Sequence, residues 1–313
     1  MEHGIVIRNT GSWYVVRLDD GGREVNCKVK GSFRMRGLRT TNPVAVGDGV
    51  TLRLNPDGNA FITGIDERRN YIIRRASNLS KESHIIAANV DCAFLIVTLL
   101  HPETSTTFID RFLATAEAYS VPAVVVINKS DLLTGDEDVA YREAVEYLYR
   151  SIGYEVIVVS ATTGAGMDRL REALAGKVSL MSGNSGVGKT TLINGLIPGL
   201  NLRTAEISDV HDSGMHTTTF SEMFDLPGGG SIIDTPGVRG FGTIDFDRYE
   251  VAHYFPEIFR LSTGCRFGNC THTHEPGCAV LAALAENRVA QSRYNSYLSV
   301  LNDEEQEKYR KGY

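Results

Sequence analysis

The hydrophobic and polar positions in the first part of the chain follow the pattern of short β-strands. Apolar and polar residues alternate over runs of six to eight positions, and turn sequences such as DDGG and NPDG separate the runs. This alternation is typical of strands with one buried face. The predicted strands are GIVIRN, SWYVVRL, REVNCKVK, GVTLRL and AFITGID. Five strands in about seventy residues favour a small barrel, and the OB-fold is the leading candidate.

From residue 90 the pattern changes to continuous apolar runs that alternate with segments of helical spacing. A continuous apolar run indicates a strand that is buried on both faces of a sheet. The predicted strands are VDCAFLIVTL, VPAVVVIN, YEVIVVSA, KVSLMSG, TTTFSEMFDLP and GSIIDTPG. The predicted helices are TTFIDRFLATAEAYS, EDVAYREAVEYLYRSIG, AGMDRLREALAG and KTTLINGLIP. This order predicts an α/β domain with a mainly parallel sheet, and ERRNYIIRR is expected to lead out of the barrel.

The last part of the chain, from about residue 245, combines a cluster of cysteines and histidines with apparent helices from Ala279 to Tyr313. The three patterns together predict a multidomain protein. We expect an N-terminal β-barrel of the OB-fold type in residues 1–72, a central α/β domain in 73–244 and a C-terminal α-helical, metal-binding domain in 245–313.

The composition predicts a cytoplasmic protein. Three of the five cysteines lie within fourteen positions, which suggests a metal site in a reducing compartment rather than a disulfide scaffold. The longest apolar run, CAFLIVTLL, has nine residues, whereas a membrane-spanning helix needs about 20. The N-terminus MEHGIVIRN carries no export signal. We therefore expect no membrane partner, and a monomer, since no interface pattern is visible.

The charge is unevenly distributed. The net charge of −6 argues against a general nucleic-acid binder such as a DNA-binding protein, but residues 1–80 hold 13 basic and 8 acidic residues, a net of +5, which leaves −11 for the remainder. One segment, KVKGSFRMRGLRTTNP, contains no acid, and its basic and aromatic residues are Lys28, Lys30, Phe33, Arg34, Arg36 and Arg39. Such residues on a barrel suit RNA backbone tracking and base stacking. The alternatives are a solvated loop and a chance fluctuation of charge.

The sequence SGNSGVGKTTLING, from Ser182 to Gly195, has the spacing of a phosphate-binding P-loop between a predicted strand and a predicted helix. Its glycines let backbone N–H groups surround the phosphates, and the helix N-terminus adds a favourable dipole. Lys189 would reach the β- and γ-phosphates, and the Thr190 hydroxyl would bind Mg²⁺. The expected phosphate site is Gly183, Asn184, Ser185, Gly186, Val187, Gly188, Lys189, Thr190 and Thr191. The alternative is a glycine-rich turn without a ligand.

Two motifs downstream of the P-loop match the switch regions of GTPases. DTPG, Asp234–Gly237, ends an apolar strand; Asp234 can hold Mg²⁺ through water, and the Gly237 N–H can contact the γ-phosphate. HTTT, His216–Thr219, offers a threonine to bind Mg²⁺. Thr218 is the first choice and Thr217 the second, while ordinary strand propensity would also explain these threonines.

NKSD, at Asn128, Lys129, Ser130 and Asp131, follows a buried-type strand and has the composition of a guanine-binding motif. The Asp131 carboxylate can accept two hydrogen bonds from the guanine N1–H and amine, and adenine lacks this pair of donors. Asn128 would bond the base and a neighbouring loop, and Lys129 would lie over the base. Ser160 and Ala161 end the next strand, where a backbone N–H would reach the guanine carbonyl.

All five GTPase elements are therefore present, but in the order NKSD, SA, P-loop, HTTT, DTPG, which starts in the middle of the usual order. Joining the usual last helix to the first strand and opening the chain after DTPG gives this arrangement, because domain ends often lie close together. The sequence thus predicts a circularly permuted P-loop GTPase domain. The cut places the switch at residues 234–242 directly before the C-terminal domain, so the nucleotide state is hypothesised to move that domain.

The expected chemistry is slow without a partner. Val238 follows DTPG at the position where Ras-type enzymes have a glutamine that orients water, and valine cannot do this. His216 is the candidate for that task, and with Lys189 and Thr218 it forms the expected catalytic set. A solvent-facing loop histidine is the alternative for His216.

The C-terminal sequence CRFGNCTHTHEPGC has the pattern C-x4-C-x-H-x5-C. Three thiolates and one imidazole close a tetrahedral zinc site with no open position, which is structural rather than catalytic. The predicted ligands are Cys265, Cys270, His272 and Cys278, with His274 as a competing ligand and free thiols as the alternative. Cys27 and Cys92 lie in strand-like segments and are expected to be buried apolar residues.

The permuted motif order, the N-terminal barrel and the sequence THTHEPGC together resemble the bacterial small ribosomal subunit biogenesis GTPases, the ribosome small subunit-dependent GTPase A family. The resemblance covers essentially the whole chain. It implies an OB-fold, a permuted GTPase domain that binds GTP, GDP and Mg²⁺, and a zinc-binding domain. It also implies late maturation of the small ribosomal subunit, contact with its rRNA, and GTP hydrolysis stimulated by the subunit.

Two other functions remain open from the sequence. The first is a GTP-gated RNA-binding checkpoint in which hydrolysis only times release. The second is a metabolic NTPase with a P-loop, but Asp131 argues against ATP and no second catalytic constellation for a small substrate is visible.

Overall fold

The structure, a computed structural model, describes residues 1–11, 13–29, 43–56, 58–75, 83–202, 221–234 and 247–302. The five strands predicted near the N-terminus all form and close into a barrel. They are β1 Glu2–Asn9, β2 Tyr14–Leu18, β3 Glu24–Val29, β4 Gly49–Leu54 and β5 Ala60–Ile65. Neighbouring strands pair in the order β1-β2-β3-β5-β4, and β4 returns to β1, with only the β3–β5 pair parallel. In β2 and β3 every second residue is buried, which explains the period of two.

A hairpin connects the barrel to the central domain. It consists of β6 Tyr71–Arg75 and β7 Ser83–Ala88, which pair antiparallel with each other in a separate two-stranded sheet. The sequence predicted only that ERRNYIIRR leads out of the barrel, and the pairing of β6 with β7 was not predicted. The buried residues of the hairpin, Ile72, Ala87 and Ala88, do not alternate with polar residues along the chain. Their burial results from tertiary packing, so no local pattern predicted these strands.

The central domain is an α/β sheet with helices on both faces. Its strands are β8 Cys92–Val97, β9 Ala123–Ile127, β10 Glu155–Val158, β11 Val178–Ser182, β12 Glu222–Asp225 and β13 Ser231–Asp234. Its helices are α1 Thr106–Ala118, α2 Asp136–Ile152, α3 Met167–Leu174 and α4 Lys189–Leu196, and a 3-10 helix spans Ser130–Leu132. The strand order is β10-β9-β8-β11-β13-β12, and the pairs from β10 to β13 are parallel, as predicted. β12 is antiparallel to β13.

Local sequence explains where these elements begin and end. The Ser105 side chain accepts a hydrogen bond from the Phe108 N–H at the start of α1. Three acidic residues occupy the first turn of α2, where they suit the helix dipole, and Gly153 ends that helix at φ +123°. Every residue of β8 is buried, because one face contacts the cluster under α1 and α2 and the other contacts the cluster under α3 and α4.

The central sheet continues into the barrel. β1 pairs antiparallel with β12, with Arg8 opposite Glu222, so that eleven strands form one sheet. Two barrel residues, Ile7 and Val46, belong to the same apolar cluster as Leu95 of β8. The barrel and the central domain are therefore joined by both backbone pairing and a shared core.

The C-terminal domain is helical, as predicted. A 3-10 helix at Val251–Tyr254 precedes α5 Pro256–Ser262, α6 Ala279–Ala285 and α7 Gln291–Leu301. The sequence analysis did not predict α5, whose seven residues begin at a proline in the first helical turn. α7 packs against α1 of the central domain. Within the described residues, no helix is long and apolar enough to cross a membrane.

Candidate nucleotide site and metal centre

Four of the predicted motifs lie at one edge of the central sheet, because the strands before them are parallel and end on the same side. The P-loop follows β11, NKSD follows β9, SA follows β10 and Asp234 ends β13. The chain builds β9 and β10 on one side of β8 and then crosses to β11 on the other side. The crevice outside such a reversal of strand order is where open α/β sheets bind ligands.

Two glycines of the P-loop permit its close approach to neighbouring backbone and side chains. Gly183 has φ +153°, and a Cβ there would lie 2.3 Å from the Ile96 carbonyl oxygen. Gly188 has φ +89°, and its Cβ would lie 2.5 Å from Asn128 Nδ2. A side chain at either position would therefore displace the loop from the β8 and β9 strand ends. The loop residues Asn184, Ser185, Gly186 and Val187 lie between these two glycines.

Lys189 begins α4 directly after the loop, and Thr190 and Thr191 follow in the same turn. Its Nζ donates a hydrogen bond of 2.8 Å to the Gly183 carbonyl, which places the ammonium inside the curve of the loop. Burial lowers the pKa of Lys189, and the charge of Asp234 opposes that shift. A phosphate group would add further negative charge beside this buried ammonium, which favours its charged form.

Asn128 joins three motifs that are far apart in the sequence. Its Nδ2 donates to the Val187 carbonyl at 2.8 Å, and its Oδ1 accepts from the Ala161 N–H at 3.2 Å. The Asn128 side chain is buried, and its bond to Val187 is made away from solvent. The P-loop and the segments NKSD and SA are thereby connected through one side chain.

Asp131 is oriented by a contact that the sequence analysis did not foresee. The Ser160 Oγ donates to Asp131 Oδ1 at 2.6 Å, and the same Oγ accepts from the Thr163 N–H at 3.1 Å. Only a backbone role was predicted for Ser160 and Ala161, because no sequence pattern marks the serine hydroxyl as a partner of Asp131. This hydroxyl fixes a carboxylate that is itself exposed to the crevice.

Lys129 occupies a left-handed backbone position, with φ +59°, and its Nζ donates to the His101 carbonyl at 2.6 Å. His101 lies between β8 and α1, in a segment that the sequence analysis did not single out. Ser130, the remaining residue of NKSD, begins the 3-10 helix that carries Asp131.

The switch residues are the part of the prediction that lies outside the described residues. These are His216, Thr217, Thr218, Gly237 and Val238. Asp234 is described: it ends β13, and its charge acts on Lys189. The roles of the switch residues stay predictions.

The four predicted metal ligands converge in the C-terminal domain. One ligand atom from each of Cys265, Cys270, His272 and Cys278 lies within 4.8 Å of all the others. The Cys265 and Cys278 sulfurs are 3.9 Å apart, and His272 Nδ1 lies 3.6 and 3.4 Å from them. A tetrahedron of ligands at zinc–sulfur distances has edges of about 3.8 Å, so the set fits a tetrahedral ion. His274 is exposed, and its Nδ1 lies 2.8 Å from Thr273 Oγ1.

Burial shifts the pKa of three of these four groups. Burial raises the pKa of Cys270 to about 12 and also raises that of Cys278, so a neighbouring cation is needed to favour the thiolates. Burial lowers the pKa of His272, which favours the neutral imidazole that binds metals.

A carboxylate and a tyrosine hold the loop that carries His272. Glu275 accepts hydrogen bonds from the Thr271 N–H and hydroxyl, both at 2.6 Å, and from the Thr273 N–H at 2.9 Å. The Tyr294 hydroxyl donates to the His272 carbonyl at 2.8 Å. His272 has φ +58°, an uncommon value for a residue other than glycine. The contacts of Glu275 and Tyr294 hold the backbone in this conformation and so orient the imidazole.

Comparison with known proteins decides the family. The RsgA GTPase family matches residues 65–244, and the RsgA N-terminal domain matches residues 3–62. This chain belongs to the RsgA GTPase family. It is 60% identical over 310 residues to the small ribosomal subunit biogenesis GTPase RsgA of Bacteroides fragilis, with 99% of both chains covered. It is 50% identical to the protein of that name in Christiangramia forsetii, with 96% of both chains covered.

Two solved structures of similar proteins support the same family. YjeQ from Thermotoga maritima has a TM-score of 0.77 and 34% sequence identity, and covers 96% of this chain and 98% of its own. YloQ, described as a circularly permuted GTPase, has a TM-score of 0.74 and 27% identity, and covers 97% and 95%. The predicted resemblance, the barrel, the permuted GTPase domain and the GTP-hydrolysing enzyme class are thereby confirmed.

Proposed function

We propose that this GTPase acts in late maturation of the small ribosomal subunit and that contact with the subunit stimulates its hydrolysis of GTP to GDP and phosphate. The curated relatives of the family carry the name small ribosomal subunit biogenesis GTPase over nearly their whole length. The observation that carries the proposal is the Asn128 side chain, because it bonds the phosphate loop at Val187 and the base-side segment at Ala161. These contacts support a single nucleotide site made of the predicted phosphate and guanine motifs, despite their reversed order in the chain.

The residues divide into a base half and a phosphate half. Asp131, oriented by Ser160, accepts hydrogen bonds from the guanine N1–H and amine, while Asn128 and Lys129 frame the base. Lys189 and the backbone N–H groups of Gly183–Thr191 bind the phosphates. Thr190, with Asp234 acting through water, would hold Mg²⁺, which neutralises charge between the β- and γ-phosphates when bound.

The switch residues complete the reaction in this proposal. Thr218, with Thr217 as the alternative, would be a ligand of Mg²⁺, and the Gly237 N–H would contact the γ-phosphate. Val238 cannot orient the attacking water, so His216 takes that role and turnover without a partner is slow. A His216→Ala variant that keeps full subunit-stimulated turnover would remove His216 from the mechanism.

Zinc is the metal we propose for the cysteine and histidine cluster, as one structural ion. Three thiolates and an imidazole leave no open position for a substrate, and Cys278 belongs to the apolar core of the C-terminal domain. Elemental analysis should find one zinc per chain. We expect Cys278→Ser to lose the ion, whereas the matched variant His274→Ala should retain it. Retention by both variants would contradict this ligand set.

The barrel is the proposed contact with rRNA. Among the described residues, Lys28 Nζ lies 4.2 Å from the centre of the Trp13 ring, which places a cation and a large aromatic face together on the barrel. The other basic residues of the segment, Lys30, Arg34, Arg36 and Arg39, lie outside the described residues. We further propose that the protein works as a cytoplasmic monomer, without contact to DNA or membranes.

The deciding experiment measures phosphate release from GTP and from ATP, with and without purified small ribosomal subunits. We expect turnover of GTP only, with at least a tenfold stimulation by the subunits, which corresponds to about 1.4 kcal/mol of barrier. Equal turnover of ATP would contradict the guanine site. Turnover that is indifferent to subunits would contradict the proposed partner. GTP-dependent subunit binding with almost no turnover would instead favour a checkpoint in which hydrolysis only times release.

A further inference from the structure

The segment between β8 and α1, residues 98–105, lies against the nucleotide site but belongs to none of its motifs. The His101 carbonyl accepts the hydrogen bond from Lys129 Nζ, at 2.6 Å. A Cβ added at Gly186 of the P-loop would lie 3.4 Å from Pro102 Cδ, so the proline packs beside that loop. Two adjacent residues thus contact both the base half and the phosphate half of the site.

This segment is held in place by its own buried hydrogen bonds. The Thr98 Oγ1 donates to the Pro102 carbonyl at 2.5 Å, and the Thr98 N–H donates to Thr104 Oγ1 at 3.2 Å. The Thr104 N–H returns a bond of 2.8 Å to the Thr98 carbonyl. Both threonines are fully or almost fully buried. The position of the His101 carbonyl is therefore set by the end of β8 and the start of α1.

Lys129 is consequently fixed at both ends. Its backbone follows the buried Asn128 and has φ +59°, and its ammonium is bonded to the His101 carbonyl. His101 itself has φ +46°, a left-handed conformation that β-branched residues rarely adopt and that asparagine tolerates. A lysine side chain that is ordered before the ligand arrives loses less conformational entropy on binding.

We propose that His101 is a positioning residue for guanine-nucleotide binding. Its main-chain carbonyl accepts the hydrogen bond from the Lys129 ammonium. The aliphatic part of the lysine side chain is thereby positioned, before the nucleotide binds, to lie over the plane of the base. The imidazole has no part in this role. The inference rests on the proposed function, in which Lys129 lies over the base.

Two substitutions at the same position separate the carbonyl from the imidazole. His101→Val removes the imidazole and disfavours the left-handed backbone, whereas His101→Asn removes the imidazole and keeps that backbone accessible. The measurement is the Kd of a fluorescent GDP analogue for the full chain. We expect the Kd to rise about fivefold or more in His101→Val, roughly 1 kcal/mol, and to stay within about twofold in His101→Asn.

A double-mutant cycle tests whether the effect passes through Lys129. In a Lys129→Ala background, His101→Val should cause no further loss of GDP affinity, since the carbonyl then has no ammonium to hold. If His101→Val does not fold, as judged from its thermal unfolding, Thr98→Val replaces it. That variant keeps the side-chain shape and removes only the bond to the Pro102 carbonyl. It should also weaken GDP binding only when Lys129 is present.

Three results would overturn the positioning role. They are wild-type affinity in the folded His101→Val or Thr98→Val chain, an equal loss in His101→Asn, and an undiminished loss in the Lys129→Ala background. Failure of the unmodified chain to bind GDP would overturn both this inference and the proposed guanine site. Normal GDP binding that Asp131→Asn abolishes, together with unaffected His101 variants, would overturn the positioning role alone.

Discussion

The two junctions that flank the GTPase domain are built in different ways. At the barrel junction, β1 extends the sheet through β12, and the ion pair between Arg8 and Glu222 lies at the surface, with the two side chains 45% and 29% exposed. At the C-terminal junction, helices pack side by side around Arg293, whose side chain is 1% exposed.

The buried arginine connects four helices. Arg293 of α7 donates to Asp110 Oδ1 of α1 at 2.8 Å and to both carboxylate oxygens of Glu257 of α5, at 2.7 and 3.1 Å. The Tyr149 hydroxyl of α2 donates to the same Asp110 oxygen at 2.8 Å. The guanidinium also lies 4.7 Å from the centre of the Phe255 ring. The C-terminal domain is therefore attached by a charge network in which Arg293 and Asp110 are buried and Glu257 is only 11% exposed.

The barrel junction relies on other forces. Its second ion pair joins Arg17 to Asp225, whose side chain is 58% exposed. Exposed pairs contribute little because water and salt screen them. Backbone pairing and the shared apolar core, which includes Ile7, remain as the main attachment. Arginine–carboxylate pairs of similar geometry are therefore expected to contribute very differently to stability when their burial differs.

The largest effect should come from breaking the buried network. Arg293→Ala leaves the Asp110 and Glu257 carboxylates without their cation in a low-dielectric interior. We expect a loss of about 3–5 kcal/mol in the free energy of unfolding, measured by urea denaturation. The matched control is Arg288→Ala, which breaks the exposed pair with Glu286 in the same domain and should cost less than about 1 kcal/mol. Similar losses in both variants would mean that burial does not set the contribution of these ion pairs to stability.

The apolar part of the barrel junction should give the next largest effect. Ile7→Ala removes a buried side chain from the core that the barrel shares with β8, and we expect a loss of about 2–4 kcal/mol. Ile5→Ala, at a position of the same strand that is 37% exposed, should cost less than about 1 kcal/mol. If the two variants unfold at the same urea concentration, the shared core does not hold the junction.

The surface ion pairs of the barrel junction should have a small effect that depends on salt. The double variant Arg8→Ala, Arg17→Ala should lose about 0.5–2 kcal/mol at low ionic strength. The difference from the unmodified chain should shrink in about 1 M salt, where the Debye length is about 3 Å. A loss that does not change with salt would mean that the arginines act through packing and not through charge.

The smallest effect concerns a histidine on the barrel surface. His3 Nδ1 lies 2.6 Å from Asp19 Oδ2, and His3 Nε2 lies 2.7 Å from Asp66 Oδ2. The hydrogen bond to Asp19 is the largest cause of a raised pKa of His3, and the bond to Asp66 is the second. The histidine thus stabilises the fold below its unfolded pKa of about 6.5, and this contribution disappears as the pH rises through the higher folded value.

The measurement compares the unmodified chain with His3→Gln in urea at several pH values. The stability advantage of the unmodified chain should be present at about pH 6 and absent at about pH 9. The size should be small, because His3 and both aspartates are exposed. An advantage that is constant over this range, or an ordinary pKa of His3 by NMR titration, would contradict the prediction.

Much of the fold followed from local patterns. The five barrel strands, the parallel strands of the GTPase domain and the last two helices follow from periodicity, because side-chain alternation depends only on the backbone. The hairpin of β6 and β7 and helix α5 did not follow, because their apolar residues match no clear period. For the candidate site, the P-loop, NKSD and the four candidate metal ligands were predicted from spacing, while the contacts of His101 and of the Ser160 hydroxyl were not.

The sequence by itself determined which chemistry each segment can perform, since a phosphate loop, a guanine motif and a cysteine cluster are defined by residue types at fixed short spacings. Only the tertiary structure decided which distant segments meet. The Asn128 contact with Val187, the pairing of β1 with β12 and the burial of Arg293 on Asp110 join residues separated by 59, 214 and 183 positions. No local pattern encodes such partners, because they depend on how whole strands and helices pack into a common core.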